Sequence, residues 1–320
     1  GFAFSARMFN KGVRVFFQVL LARFLGPAAY GLYVLGWTVA AYGRPFVLLG
    51  LPDGLVRFIP KHVENGEHDK VRGTVLVSFG ITITLSLVLA AGLLASSEYL
   101  AVNVFDNPDF SNVLGLFALS LPLYITMRIA TSTAVAFRRV QYQQMIQNVL
   151  FPILKLAAVG SFLYVGYQLV GAVYGLILAV GLSALVSVVL LPRVFTDVDF
   201  RGGYGSETKS LLRFSVPVLL VDFGGLALTQ TDRLLLGALG TSSQVGVYNI
   251  AYILSQQILV FFTAILVVFN PVVSELYTKG NFEQLQRMYT TVTRWIFVFS
   301  VPSVIVGSLF ASELLSIFNP

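Results

Sequence analysis

The chain has 320 residues, of which 56% are hydrophobic and only 11% are charged, whereas a soluble domain contains roughly 25% charged residues. It has no cysteine and two histidines, which excludes disulfide frameworks, thiol nucleophiles and cysteine-ligated metal centres. The formal net charge is +6, but basic residues placed beside apolar runs indicate membrane topology rather than nucleic-acid binding. We therefore expect a membrane protein with no cofactor, no metal site and no nucleic-acid partner.

Apolar stretches long enough to cross a bilayer follow one another along the whole chain. About 20 apolar residues span a hydrocarbon core of roughly 30 Å. Nine stretches have this length, at residues 4–25, 30–51, 74–96, 113–137, 145–164, 169–191, 214–233, 247–273 and 294–317. The connections between them are too short for a soluble domain. The sequence predicts an all-α polytopic membrane protein with about nine transmembrane helices.

Lys and Arg are unevenly divided between the two sets of connections. If the N-terminus is cytoplasmic, thirteen of them lie in the inside loops and only Arg23 and Arg233 lie in the outside loops. Loops rich in Lys and Arg remain in the cytoplasm. This asymmetry predicts a multi-pass protein of the plasma (cytoplasmic) membrane with its N-terminus in the cytoplasm.

Short blocks of sequence recur at an offset of 214 to 215 residues. Residues 25–33 return loosely as 239–248, and residues 66–71 as 280–285. Six predicted spans separate the copies, and repeats of an even number of spans insert in parallel, about an axis along the membrane normal. We expect two parallel six-helix bundles around a central cavity, with residues 1–205 as the first. Residues 206–320 are then three helices of a second, truncated bundle, and the chain is expected to be part of a longer protein.

Basic side chains lie inside the predicted spans, where each costs about 2.5–3.5 kcal/mol at the bilayer centre. Arg7, Lys11, Arg14 and Gln18 are spaced by 4, 3 and 4 residues, which places them on one face of the first helix. Arg14 is about 16 Å from the outer end of its span, near the midplane. Arg7 is close to the interface, where snorkelling explains it.

Four further charged residues stand inside later spans. Arg128 and Lys155 are too deep for easy snorkelling, whereas snorkelling accounts for Arg44 equally well. In the seventh span Asp222 shares a helical face with Arg233. Asp222 is interpreted either as a salt-bridge partner for one of the bases or as a proton or cation site.

Several bases against one deep acid favour an anionic ligand, because a buried excess of positive charge requires a counter-ion. Phosphate and pyrophosphate fit, since Arg binds them by bidentate, charge-assisted hydrogen bonds. The predicted cationic cavity comprises Arg14, Arg128 and Lys155, with Arg44, Arg233, Lys11 and Gln18 as additional candidates. Asp222 is the candidate for ion coupling. His62 and His68 are expected to be solvated in a loop, and Gly171, Gly175 and Ala179 to allow close helix packing.

Three segments resemble the oligosaccharide (polysaccharide) flippase family of the multidrug/oligosaccharidyl-lipid/polysaccharide exporter superfamily. They are LARFLGPAAYGLY at residues 21–33, LGLP at 49–52 with Arg57 and Pro60, and QTDRLLLG at 230–237 followed by GVY at 246–248. The resemblance implies twelve or fourteen spans in two bundles around a cavity. It also implies movement of polyprenyl-phosphate- or pyrophosphate-linked oligosaccharide from the inner to the outer leaflet by alternating access, with H⁺ or Na⁺ as a coupling cation.

Two other functions stay open at this point. A drug or organic-cation antiporter of the same superfamily would need acids in its cavity, and this chain offers mainly bases. A membrane glycan polymerase or ligase would need a sizeable loop with positioned carboxylates or histidines. The sequence has no paired-carboxylate motif, nucleophile elbow or phosphate-binding glycine loop, so we expect a transporter rather than an enzyme.

Overall fold

A computed structural model describes residues 2–195, 203–205 and 207–316. The side chains of residues 2–4, 7, 258–268, 270, 271 and 314 lie outside this description, and with them the candidate Arg7. Over the described residues the chain is almost entirely helical and has no strand. The α-helices are α1 (Phe2–Leu48), α2 (Leu51–Glu64), α3 (His68–Tyr99), α4 (Phe110–Ala136), α5 (Val140–Met145), α6 (Phe151–Tyr164), α7 (Gln168–Leu190), α8 (Thr208–Leu239), α9 (Ser242–Thr278), α10 (Phe282–Leu309) and α11 (Ala311–Ser316).

Three short helical segments of other types accompany these helices. A π-helix at Leu100–Val104 continues α3, a second at Ile146–Leu150 joins α5 to α6, and a 3₁₀ turn at Leu191–Arg193 follows α7. The chain forms two compact units, Gly1–Gly246 and Val247–Pro320. The predicted repeat boundary at residues 205 and 206 falls inside the first unit.

Seven of the described helical segments are long and apolar enough to cross a membrane. The prediction of an all-α polytopic membrane protein is confirmed. The predicted spans from 74–96 to 214–233 coincide with α3, α4, α5 to α6, α7 and α8. The span predicted at 294–317 is displaced, since α10 begins at Phe282 and ends at Leu309. Most side chains of the span predicted at 247–273 lie outside the described residues.

The first two predicted spans form a helical hairpin within α1. Helical geometry is interrupted at Gly26, whose φ of 73° is open to glycine at no steric cost, and Pro27 follows. The hydroxyl of Tyr30 donates to Oε1 of Gln18 at 2.8 Å. In a straight helix these residues would be about 18 Å apart. The two halves, 2–25 and 27–48, therefore fold back on each other at Gly26.

Helix α2 occupies residues that the sequence assigns to a connecting turn. Gly50 (φ 66°) ends the preceding helix and Pro52 stands in the first turn of α2. Leu51, Leu55 and Ile59 recur every four residues and are fully buried. They pack with Val71 of α3, Ile129 of α4 and Leu211 of α8. We call the end of the first unit that carries α2 the α2 end, and the opposite end, where α1 turns, the Gly26 end.

Small residues allow close helix crossings at two places. A Cβ atom at Gly175 of α7 would lie 2.6 Å from Cα of Val159 in α6, which agrees with the predicted packing role of the Gly171, Gly175 and Ala179 stripe. At the Gly26 end, a Cβ at Gly31 would overlap the carbonyl oxygen of Ser242 and lie 3.1 Å from the amide nitrogen of Gly246.

The contact of Gly31 has a reciprocal counterpart. A Cβ at Gly246 would overlap the carbonyl oxygen of Pro27 and lie 3.3 Å from the amide nitrogen of Gly31. Gly31 and Gly246 are equivalent in the sequence repeat, and Pro27 and Ser242 are separated by the same 215 residues, one position from the aligned pair Pro27 and Thr241. Contacts of this form, in which residue i meets j′ and i′ meets j, are those made across a two-fold axis.

Candidate functional site

A group of polar side chains inside the spans is carried by the first half of α1, by α4 and by the segment from α5 to α6, which contact one another. We call this group the polar face, and it consists of Asn10, Arg14, Arg128, Gln147, Asn148 and Lys155. Three of its members are the bases at the centre of the sequence prediction. The three amides were not among the predicted site residues.

Two of these amides, Gln147 and Asn148, are presented by the π-helix Ile146–Leu150. Pro152 has no N–H to donate to the carbonyl of Asn148, and its ring would clash with that carbonyl in a regular α-helix. The N–H of Phe151 bonds instead to the carbonyl of Ile146, five residues back. The wider turn directs Gln147 toward α4 and Asn148 toward α1. Such π-turns frequently occur at functional sites.

Arg128 is half-buried and is held by an uncharged partner. Its Nη1 donates to Oε1 of Gln147 at 3.0 Å. Nε2 of Gln147 in turn donates to Oγ1 of Thr131 at 2.5 Å. Arg128 therefore has one hydrogen bond to a neutral amide and keeps its full positive charge.

A second set of amide contacts joins α1 to the same π-helix. Nδ2 of Asn10 donates to Oδ1 of Asn148 at 2.7 Å, and Nδ2 of Asn148 donates to Oε1 of Gln144 at 2.6 Å. Hydrogen bonds of this kind hold transmembrane helices together. The signal in the sequence was a cluster of four amides at positions 143, 144, 147 and 148 beside an otherwise apolar span.

Lys155 and Arg14 lie near each other at mid-span. Nζ of Lys155 is 4.1 Å from the ring centroid of Phe17 and 5.6 Å from that of Phe151, so cation–π attraction partly replaces water. Arg14 is close enough to repel Lys155 electrostatically. Arg14 and Lys11 are exposed. The side-chain amide oxygen of Gln18 accepts the hydrogen bond from the hydroxyl of Tyr30, and this bond links the two halves of the α1 hairpin.

Arg44 is anchored by aromatic rings on α1 and α4. Its guanidinium carbon is 4.1 Å from the ring centroids of both Trp37 and Tyr124, and the two rings are perpendicular. Tyr124 precedes Arg128 by one turn of α4, so Arg44 lies beside the polar face. Nε of Arg44 is buried and has no hydrogen-bond partner among the described residues.

The two candidates on α8 are far apart. Asp222 is exposed, and it is attracted by Arg128 and repelled by Asp53. Arg233 is 7% exposed and lies eleven residues farther along α8, one turn before Gly237, which approaches Leu35 and Phe105 at the Gly26 end. The structure therefore places Asp222 near the polar face and Arg233 away from it.

Within the part of the chain that the structure describes, the bases of the polar face have no ion-pair partner, and the same holds for exposed bases such as Arg57 and Arg139. Among the described residues, Lys11, Arg14, Arg44, Arg128 and Lys155 make no ion pair, whereas eight ion-pair contacts occur outside this region. No group of three His, Asp or Glu side chains with metal-ligand geometry is present in the part of the chain that the structure describes. The arrangement is suited to an anion rather than to a metal ion.

At the α2 end, by contrast, a cluster of basic and acidic side chains is paired. We call His62, Glu67, Lys70 and Glu207 the α2 clasp. Nζ of Lys70 is 2.9 Å from Glu67 and 3.0 Å from Glu207, and Nδ1 of His62 is 2.7 Å from Glu67. The expectation that His62 is solvated is wrong, since its side chain is 0% exposed. It continues the apolar stripe of α2 beyond Ile59 and is buried with it.

The clasp attaches the residues before α8 to α2 and α3. Glu207 immediately precedes α8, and the N–H of Gly205 donates to the carbonyl of Asp69 at 2.9 Å. Hydrogen bonds from Lys70, and then from His62, lower the pKa of Glu67, and the bond from Lys70 lowers the pKa of Glu207. Both carboxylates are therefore stabilised in their charged form.

Solved structures with the same fold are transporters. An inward-facing multidrug resistance MATE family transporter of the MOP superfamily matches with a TM-score of 0.78 and 15% identity, over 99% of this chain and 75% of that one. An outward-facing MATE transporter matches with a TM-score of 0.66 and 17% identity, over 98% and 72%. A MOP superfamily transporter from Pyrococcus furiosus, described as having a binding pocket of reverse polarity, matches with a TM-score of 0.65 and 17% identity, over 98% and 72%.

Sequence comparison assigns the family. Curated protein sequences give no match to the chain. The sequence model of the polysaccharide biosynthesis protein family matches residues 1–277, which include the whole polar face and the α2 clasp. The chain, an all-helical membrane protein with the MATE transporter fold, belongs to the polysaccharide biosynthesis protein family.

Proposed function

We propose that the chain belongs to a flippase that moves polyprenyl-phosphate- or pyrophosphate-linked oligosaccharide from the inner to the outer leaflet by alternating access. The observation that carries this proposal is the polar face, where Arg14, Arg128 and Lys155 stand within the spans without an acidic partner. An isolated base in hydrocarbon is costly, and a phosphate that arrives with the substrate supplies the missing counter-charge. Membership of the polysaccharide biosynthesis family agrees with a glycan substrate.

In this proposal the bases of the polar face have different roles in binding the phosphate. Arg128 presents a planar fork of donors that matches phosphate oxygens. Arg14, one turn after Asn10, and Lys155, two turns after Gln147, add positive charge. Arg44, Lys11 and Gln18 surround this group. The glycan follows the phosphate into the hydrated cavity, while the polyprenyl tail stays in lipid. Arg233 is assigned to a later position of the head group, nearer the Gly26 end.

Rocking of two repeats provides the movement in this proposal. The reciprocal contacts of Gly31 and Gly246 support a two-fold axis between residues 1–205 and the bundle that begins at residue 206. We place the protein in the plasma membrane with its N-terminus in the cytoplasm, as the distribution of Lys and Arg favours. The α2 end then faces the cytoplasm. The Gly26 end then faces outward.

Asp222 is the proposed site of cation coupling by H⁺ or Na⁺. It is an exposed carboxylate within α8 that interacts electrostatically with Arg128. When a cation neutralises Asp222, its attraction for Arg128 disappears and the guanidinium becomes more available to phosphate. Cation binding and substrate binding are linked in this way.

A second candidate function is export of a drug or organic cation. It is favoured by the fold, which two solved MATE family transporters share. The polar face contains no acid, and Asp222, which interacts electrostatically with Arg128, is the acid nearest to it by this criterion among the described residues. One transporter of this fold is described as having a binding pocket of reverse polarity, so the fold accommodates pockets of more than one polarity.

Transfer of lipid-linked oligosaccharide by the full-length protein in vesicles tests the proposal. Arg14→Ala and Arg128→Ala are each expected to reduce transfer at least about tenfold, because a charge-assisted hydrogen bond to phosphate is lost. Arg138→Ala is the matched control, since Arg138 is an exposed base paired with Glu64 at the α2 end. Wild-type transfer in both variants, together with efflux of an organic cation that depends on Asp222, would contradict the flippase proposal and support the antiporter function.

A further inference from the structure

Gln147 is the hydrogen-bond partner of Arg128 in the polar face. The orientation of its amide follows from the bonds around Thr131. The hydroxyl of Thr131 donates its single proton to the carbonyls of Met127 (2.8 Å) and Arg128 (3.0 Å) in its own helix. It therefore accepts from the NH₂ group of Gln147. The amide oxygen of Gln147 must then point at Arg128.

The amide group suits this position better than a carboxylate would. A Glu at this place would orient Arg128 equally well but would neutralise its charge, as Glu67 does for Lys70 in the α2 clasp. A neutral acceptor fixes one N–H of the guanidinium and leaves its charge and its other donors for a ligand. Such a partner orients the group before the ligand arrives, which lowers the entropic cost of binding.

The backbone gives Gln147 a rigid support. It lies in the π-helix that Pro152 imposes between α5 and α6, and the neighbouring Asn148 ties the same turn to Asn10 of α1. The side chain of Thr131 is 1% exposed, so the far end of the bridge is enclosed. Both ends of the Gln147 amide are thereby fixed between two packed helices.

We propose that Gln147 is a positioning residue that orients the Arg128 guanidinium for the phosphate of the lipid-linked substrate. This inference depends on the proposed function, since it assigns a role within the same site. It predicts that Gln147 acts only through Arg128. The π-helix then has a purpose in binding, because it places an amide opposite α4 at the level of Arg128.

A double-mutant cycle on the full-length protein tests this role, with transfer of polyprenyl-pyrophosphate-linked oligosaccharide in vesicles as the readout. Gln147→Met keeps the volume and removes the acceptor, and it is expected to raise KM about tenfold with little change in kcat. In the Arg128→Ala background the same substitution is expected to have no further effect. Gln147→Glu keeps the acceptor but adds a charge, and it is expected to impair binding at least as strongly as Gln147→Met.

A second variant makes the test independent of the stability of Gln147→Met. Thr131→Val retains the shape of the side chain and removes the hydroxyl that sets the amide orientation, so a smaller rise in KM is expected, again only when Arg128 is present. If Arg128→Ala abolishes transfer while Gln147→Met and Thr131→Val transfer normally, the positioning role is wrong and the flippase proposal stands. An undiminished effect of Gln147→Met in the Arg128→Ala background would also overturn it. Normal transfer by Arg128→Ala would remove the flippase proposal itself.

Discussion

The polar face and the α2 clasp both contain basic side chains, but in opposite electrostatic arrangements. In the clasp, Lys70 contacts two carboxylates and buried His62 contacts Glu67. On the polar face, Arg128 is hydrogen-bonded to a neutral amide and Lys155 lies over aromatic rings. Charges that are matched within the protein stabilise the fold, whereas charges left unmatched are available to a ligand. The number of basic residues in a membrane protein is therefore a weaker indication of an anion-binding site than the number of acids beside them.

The largest expected effect on stability concerns His62 of the α2 clasp. His62→Ala removes a fully buried ring from the base of the clasp and is expected to cost about 2–4 kcal/mol of unfolding free energy. Arg138→Ala breaks the exposed pair with Glu64 and should cost less than about 1 kcal/mol. Thermal unfolding in detergent compares the two variants. Equal unfolding temperatures would show that the clasp is no more structural than a surface ion pair.

Removal of one lysine from each region should change stability in opposite directions. Lys155→Met replaces an unmatched charge by an apolar chain of similar length, and it is expected to raise unfolding free energy by about 1 kcal/mol while it lowers glycan transfer. Lys70→Met leaves Glu67 and Glu207 without their shared partner, so a lower unfolding temperature is expected with substrate KM unchanged. The comparison fails if Lys155→Met destabilises the protein as Lys70→Met does.

The smallest expected effect is the pH dependence of the clasp. The pKa values of Glu67 and Glu207 are lowered in the folded protein, so their stabilising contribution is present above the ordinary glutamate value of about 4.3. It is lost as the pH falls through the lowered pKa values. The unfolding temperature of the wild type should therefore decrease between pH 6 and pH 3.5. Glu67→Gln with Glu207→Gln should show a smaller decrease, and an identical slope would contradict the assigned pairing.

Most of the fold was predictable because lipid imposes a simple rule on sequence. A buried span must be helical and about 20 residues long, so α3 to α8 were found close to their observed limits. Helix α2 was missed because Pro52, Asp53, Gly54 and Pro60 suggest a turn. The four-residue spacing of Leu51, Leu55 and Ile59 indicates a helix, but the residues typical of turns led to the prediction of a connection.

For the candidate site, the sequence predicts which charges lie within the spans, but it does not predict their neighbours. Depth within a span identified Arg14, Arg128 and Lys155 without any knowledge of neighbours, since a base in hydrocarbon is costly whatever surrounds it. The partners of these bases come from other helices and from a change of helix type at Pro152. Gln147, Asn148 and Asn10 were therefore not recognised, although the amide cluster at 143–148 was visible.

By itself, the sequence determined that this is a multi-pass helical membrane protein and approximately where most of its spans lie, and it predicted which bases lie at bilayer depth. These properties depend on the residue composition of single segments, and each segment exchanges water for lipid independently of the others. The tertiary structure alone decided that His62 is buried, that Arg128 has a neutral partner and that Gly31 and Gly246 meet. Such contacts join residues from 19 (Arg128 and Gln147) to 215 (Gly31 and Gly246) positions apart or place unlike neighbours around one side chain, so they depend on how the helices pack.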